Sequence, residues 1–325
     1  MKKRALASIA VLAIGIGVFS VAGCGSSSSG GSTGEDGEKK PTISIVGFGS
    51  NPYYAEYNVG FEAEAERLGL DVDIHNSSSF EAGPVTATIN AAVANNPEYL
   101  LVAAVESEAL RAPLLAASER GIKVITYDTQ VAEPDFVTSY VNANYTEYGE
   151  LSGTAIGELV DGKGKVLLIL IIPGNSSLEK FTEGFTDKLP AGVDLLPLQY
   201  SALENSKANS ITRTTLTRDP DLAGLVAFSG FGGEGAIAAL EQAGKTGSVK
   251  AVLTSATPEA IKLLEEGSIQ TIVGEQIPKI GEEAVKAAYD DANGRTPPKE
   301  IEVPLCTITK ETIGSPEAKL CERKQ

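Results

Sequence analysis

The residues best suited to chemistry in this chain stand where short apolar runs end. Asn51, Tyr53 and Tyr54 follow the run 43–48, Glu106 follows 99–105, and Asp128-Thr129-Gln130 follows 123–127. Later in the chain Gly174-Asn175-Ser176, Tyr200-Ser201, Ser229-Gly230-Phe231 and Thr254-Ser255 hold the same kind of position. Paired rings, hydroxyls, amides and a few carboxylates suit a polyhydroxylated molecule, whose C–H faces stack on rings while its hydroxyls pair with polar groups. Each residue also has a plainer use. Tyr53 and Tyr54 fit as core aromatics at a helix start, and Asp128 fits as the cap of a turn.

Reactive chemistry has little to work with. His75 is the single histidine and no CxxC occurs, so no metal site is expected. There is no HExxH and no P-loop. Glu106 and Asp128 resemble the acid–base pair of a glycosidase only in residue type. We therefore expect no enzyme, no catalytic residue and no cofactor. Gly230-Phe231-Gly232-Gly233-Glu234-Gly235 spells GxGxxG, but the acid wanted roughly 20 residues on is missing: Thr254, Ser255 and Ala256 stand there. Those glycines read as the start of a helix lining a cleft.

The elements that must position these residues follow from the spacing. Apolar runs begin near residues 43, 70, 99 and 123, and again near 165, 194, 222 and 249. Their separation of roughly 25–30 residues is the length of a βα unit. Between them lie helical patterns such as Tyr57, Phe61, Ala65 and Leu68 on one face. Two such series imply two α/β lobes, each a doubly wound parallel sheet covered by helices. The break between them falls at residues 136–145. Further strands are expected at 269–276 and 300–305, with a helix at 277–292. In open parallel sheets ligands bind beyond the carboxyl ends of the strands, where loops and helix N-termini converge.

The N-terminus points to export. Lys2-Lys3-Arg4 precedes a mostly apolar stretch that ends in Val21-Ala22-Gly23-Cys24. That ending resembles a bacterial lipobox, so residues 1–23 read as a lipoprotein signal peptide and Cys24 as the lipidated residue. Residues 24–40, rich in Gly, Ser and charge, read as a flexible tether reaching roughly 20–25 Å. With Cys24 spent on lipid, Cys306 and Cys321 remain as an even pair, which outside the cytosol reads as a disulfide. The net charge of −16 repels phosphate backbones and sets nucleic-acid binding aside.

Taken in order, several of these segments resemble the periplasmic sugar-binding proteins of the ribose and galactose type. Asn51-Pro52-Tyr53-Tyr54 resembles that family's Asn-Pro-Phe-Phe turn, and 124–128 its fourth strand, which ends in a ligand-binding Asp. Glu183-Gly184-Phe185, Thr257-Pro258 and Ile280-Gly281 match further landmarks. The resemblance covers nearly all of the chain after the tether. It implies two lobes joined by a three-strand hinge: 41–143 plus 277–302 as the N-terminal lobe, and 144–276 plus 303–325 as the C-terminal lobe. By position it implies ligand contacts at Asn51, Tyr53, Tyr54 and Asp128 in one lobe, and at Phe181, Ser229 and Ser255 in the other. Glu275 and Gln276 fall at the hinge, and Glu106 and Phe231 stand at strand ends without a family match.

Where the family commonly has Arg, Asn and Asp, this chain has Phe181, Ser229 and Ser255. The resemblance implies capture of a sugar or polyol between closing lobes, with delivery to an ABC permease. An arginine-poor site leaves an amine ligand as the alternative, through cation–π contacts and charge. A membrane signalling partner is the alternative to the permease.

Overall fold

The computed structural model describes residues 38–202, 204–228 and 230–323. The leader 1–23, Cys24 and most of the tether lie outside the described residues, as does Ser229. Strands and helices alternate as the apolar runs require. First come β1 (Ile43–Gly47), α1 (Pro52–Leu68), β2 (Val72–Asn76), α2 (Ala82–Ala92), β3 (Tyr99–Val102), α3 (Arg111–Glu119), β4 (Lys123–Tyr127) and β5 (Val137–Ala143). Next are α4 (Tyr145–Leu159), β6 (Lys163–Leu170), α5 (Ser176–Lys188), β7 (Gly192–Leu195), β8 (Gln199–Tyr200) and α6 (Asn205–Arg218). Then follow β9 (Leu222–Phe228), α7 (Gly233–Gln242), β10 (Lys250–Thr254), α8 (Pro258–Glu266) and β11 (Thr271–Glu275). The chain closes with α9 (Ile277–Ala292), β12 (Glu300–Val303), β13 (Leu305–Thr309) and α10 (Pro316–Cys321).

Two sheets organise these elements. The first has the order β12-β5-β4-β3-β1-β2, parallel throughout. The second has the order β13-β11-β10-β9-β6-β7 and is parallel except for β13, which runs antiparallel to β11. Every residue of β1, β3 and β11 is buried, as strands covered by helices on both faces require. The molecule is thus a pair of doubly wound α/β lobes. The chain passes between the sheets three times: from β5 to β6, from β11 to β12, and from β12 to β13.

Prolines account for two departures from the sequence reading. The expected last strand, 300–305, divides at Pro304 into β12 in one sheet and β13 in the other. The expected strand near 194–198 divides around Pro197 into β7 and β8, which pair with successive stretches of β6. Proline has no N–H to give a ladder, so each run stops there. Within the expected tether, Glu38 and Lys39 are docked: Arg295 Nη1 donates to Glu38 at 2.9 Å and the Lys39 N–H to Asn293 at 2.6 Å.

Local signals start the helices that matter for the site. Asn51 caps α1 by accepting the Tyr53 N–H at 2.9 Å, Pro52 occupies its first turn, and Gly69 closes it in the left-handed region. Asn175 caps α5 in the same way, accepting the Ser177 and Leu178 N–H groups at 3.0 and 3.1 Å. In each lobe a pair of helices then approaches to backbone contact. A Cβ on Gly60 of α1 would lie 1.9 Å from the carbonyl oxygen of Pro278 in α9. One on Gly149 of α4 would lie 1.9 Å from that of Phe181 in α5.

Candidate functional site

The first helix of the N-terminal lobe points Tyr53, Tyr54 and Tyr57 across the carboxyl ends of β1 and β4. Asp128 waits there, one residue beyond β4, with φ +60° in a region aspartate enters more readily than most residues. Its N–H donates to the Val141 carbonyl of β5 at 3.0 Å, which fixes the turn. Its carboxylate collects phenol donors. Tyr54 donates to Oδ2 at 2.7 Å, while Tyr57, Tyr145 and Tyr53 reach Oδ1 at 3.1, 3.1 and 3.2 Å. A fifth tyrosine, Tyr140, donates to the main-chain carbonyl of Asp128 at 2.7 Å.

Glu275, the last residue of β11, faces this cluster. Tyr53 Oη lies 3.3 and 3.2 Å from its two carboxylate oxygens, as well as 3.2 Å from Asp128. One phenol has one proton, so Tyr53 cannot satisfy both acids. Burial, and then the negative charge of Asp128, push the Glu275 carboxyl up to about 8. Burial also raises Asp128, but hydrogen bonds from four tyrosines oppose that rise. Glu275 therefore keeps its proton near neutrality, while the phenol donors favour the charged form of Asp128. Burial and that charge keep the phenols of Tyr53, Tyr54, Tyr57 and Tyr145 protonated as donors.

The second lobe closes the other side. Ser255 follows β10 as Asp128 follows β4, with φ +69°, and its N–H donates to the Val273 carbonyl of β11 at 2.8 Å. The same N–H lies 2.9 Å from Tyr148 Oη. Two non-glycine residues in the left-handed region thus stand at matching strand ends of the two lobes, both at the cavity. The Ser255 hydroxyl is buried with no hydrogen-bond partner among the described residues. Phe231, after β9, meets Tyr53 of the opposite lobe with ring centroids 5.2 Å apart.

Between the lobes lies a cavity of about 220 Å³, walled by Phe80, Val105, Ile171, Ile172, Leu178, Phe228 and Phe231. Its polar edges are Glu81, Glu106, Asp128, Thr129, Asn175, Ser255 and Glu275, with Tyr53, Tyr54 and Tyr145 beside them. That volume leaves room for a small ring molecule.

Of the residues singled out in the sequence, Tyr53, Tyr54, Glu106, Asp128, Phe231, Ser255 and Glu275 come together around this cavity. Three others lie elsewhere. Asn51 is spent capping α1. Gln276 donates through Nε2 to the Pro304 carbonyl at 3.0 Å, tying two of the crossing segments together. Phe181 is fully buried, 5.0 Å from Phe228 and 5.5 Å from Tyr148, because its face of α5 packs inward with Leu178 and Phe185. It backs the cavity wall without forming it. Ser229 lies outside the described residues. The glycine-rich loop folds on itself: Glu234 accepts the Gly230 N–H at 2.9 Å, and a Cβ on Gly235 would lie 2.0 Å from the Asn205 carbonyl oxygen.

Several wall residues carried a signal that sequence reading passed over. Phe80 and Tyr145 sit just before or at a helix start that follows a strand, the same place that singled out Tyr53. Arg323 carried none. It is 7% exposed, with its guanidinium 5.5 Å over the Tyr53 ring.

Two α/β lobes crossed three times by the chain, with a cavity between them at the carboxyl ends of their strands, define a two-lobe ligand-binding protein. Residues 44–296 match the family model described as the periplasmic binding protein domain, and the chain belongs to that family. It is a family of binding proteins, not of enzymes. The ribose import binding protein of Escherichia coli (strain K12) is 25% identical over 274 residues, 84% of this chain and 92% of that protein. The fructose import binding protein of Bifidobacterium longum (strain NCC 2705) is 24% identical over 306 residues, 91% and 92% of the two chains. Among solved structures, an ABC transporter solute-binding protein from Agrobacterium vitis, bound with alpha-D-tagatopyranose, superposes with a TM-score of 0.82. It is 25% identical, and the match covers 88% of this chain and 100% of that one.

Proposed function

We propose that this protein is the exported receptor of an ABC importer and captures a sugar or polyol between its two lobes. The observation that carries this reading is Asp128, a buried carboxylate set by four phenols at the edge of a cavity walled by aromatic and aliphatic side chains. Such a site offers rings to the C–H faces of a sugar and oriented polar atoms to its hydroxyls. The relatives named for ribose and fructose import support the ligand class and the permease partner. Ligand bound to both lobes stabilises the closed form, and the closed surface is what a permease would engage. Nothing in the site alters the ligand chemically.

The amine alternative rests on the aromatic pair, Asp128 and nearby glutamates with no arginine beside them; Arg323, its guanidinium 5.5 Å over the Tyr53 ring, departs from that arrangement. We further propose that Cys24 carries the lipid anchor, on the strength of Val21-Ala22-Gly23-Cys24. Cys306 and Cys321, with Cα atoms 6.1 Å apart and their sulfurs in contact, we read as a disulfide suited to an exported protein.

A thermal-shift screen of the full chain against monosaccharides, polyols and amines tests the ligand class. A binder at 100 times its Kd adds about 2.7 kcal/mol and raises Tm by several degrees. We expect sugar or polyol hits that disappear in Asp128→Ala. A response to amines alone would overturn the reading.

A further inference from the structure

The C-terminal tail reaches Tyr53, a residue of the cleft. β13 pairs with β11 so that Cys306 stands opposite Gly274, and Cys321 of α10 packs over that same glycine, its Cβ 3.0 Å from where a Gly274 side chain would begin. The cysteine pair therefore fastens the tail to the strand that carries Glu275. Beyond it, Glu322 bridges Ala256, and the Arg323 N–H donates to the Ala256 carbonyl at 2.9 Å. The tail thus runs beside the loop that presents Ser255 to the cavity. Arg323 lands with its guanidinium over Tyr53 and its Nη1 near Gly230, next to Phe231.

The guanidinium is buried, yet Nε has no hydrogen-bond partner among the described residues. A buried guanidinium N–H left unpaired is unfavourable unless an acceptor arrives from elsewhere. Asp128 is engaged by its phenols, and the neighbouring Ser255 hydroxyl is idle as well. Ser255 lines the cavity and Arg323 stacks over Tyr53, which lines it too, so two atoms on adjoining backbone that have no partner among the described residues form a place for ligand oxygens. A planar guanidinium matches two such oxygens side by side, as on a vicinal diol or a ring oxygen and its neighbour.

We propose that the cross-linked C-terminal tail is part of the ligand site, and that Arg323 is a specificity-determining residue that donates to adjacent oxygens of a neutral polyol. The proposal rests on the receptor reading above and deepens it. It places the cation of the site on a segment outside both βα series, so the tail of this chain selects the ligand that its two lobes enclose.

Calorimetric titration of the full chain with the monosaccharides that shift Tm tests it, using Arg323→Ala, Arg323→Lys and a chain ended after Cys321. Arg323→Ala and the shortened chain should bind about 10- to 100-fold more weakly, the loss typical of a hydrogen bond to a charged group. Arg323→Lys should fall between, since an ammonium cannot present the paired donors. Unfolding of ligand-free Arg323→Ala should change little, because removal of the unpaired Nε offsets the lost stacking on Tyr53. Wild-type affinity in Arg323→Ala would overturn the proposal while leaving the receptor reading intact. A loss of affinity matched by a loss of ligand-free stability would assign Arg323 a structural role and overturn it too. Absence of sugar or polyol binding by the wild-type chain would instead remove the receptor reading, and this proposal with it.

Discussion

Asp128 and Glu275 share one phenol proton from Tyr53, and that shortage has a measurable consequence. Around Glu275 stand Asp128, Tyr53, Tyr145 and Arg323; only the arginine charge and the phenol donors favour its ionised form. Folding raises its carboxyl from the ordinary 4.5 to about 8. A carboxyl raised by folding holds its proton more tightly in the native state. Its contribution to stability is complete below about pH 4.5 and is lost as pH climbs through about 8. We therefore expect Tm of the ligand-free protein to fall between about pH 5 and pH 8, and Glu275→Gln to flatten that fall. Parallel Tm–pH curves for the two proteins would show that Glu275 is not the group responsible. Asp128, Tyr53 and Tyr54 were legible in the sequence because each stands just beyond an apolar run, where a parallel sheet opens. Phe181, which the resemblance implies as a ligand contact, stands in the layer behind the cavity, where its helical spacing with Phe185 puts both rings on the inward face of α5. Arg323 was invisible because no periodicity leads to it; only the Cys306–Cys321 contact and the Ala256 hydrogen bond put it there.

At the scale of elements, the two lobes use one device twice. The α1–α9 and α4–α5 pairs both meet at glycines, with backbone carbonyls where a side chain would begin. Gly149 makes the sharper test because the opposing atom, the Phe181 carbonyl oxygen, belongs to the helix that backs the Phe228 wall. An added methyl 1.9 Å from that oxygen forces the helices apart. We expect Gly149→Ala to lose about 1–3 kcal/mol or more in urea unfolding, the cost of overpacking a filled interior, against the slight gain alanine gives an unhindered helix. An unchanged or higher midpoint would show that the pair does not pack this closely. The strands themselves were readable as β-branched runs at βα spacing. Their ends were not where Pro197 and Pro304 intervene, because a run of apolar residues hides the missing N–H that divides it. The antiparallel β13 was unreadable for a related reason: its apolar content is continuous with that of β12, and the resemblance implies a change of lobe at 303 without showing a strand beyond it.

For the whole molecule the question is what holds the lobes together before ligand arrives. Tyr53 and Phe231 belong to opposite lobes, so their ring contact exists only when the cleft is shut. The Tyr53–Glu275 contact closes with it. Such an aromatic pair is worth about 0.5–1.5 kcal/mol beyond its buried area. Its loss should shift the ligand-free population toward the open form. Affinity then falls by the fraction of molecules no longer competent, since the measured Kd is the intrinsic one divided by the competent fraction. We expect small-angle scattering to give a larger radius of gyration for ligand-free Phe231→Ala than for the wild type. The two radii should converge at saturating sugar, where ligand contacts to both lobes take over from the lost ring pair. The radius, read beside the affinity loss, separates the two roles of Phe231. A fall of about 3- to 10-fold accompanied by opening is the closure effect. The same fall without a change in radius would mean that the ring serves the ligand alone, and that the closed form owes its population to the hinge segments tied by Gln276 and Pro304.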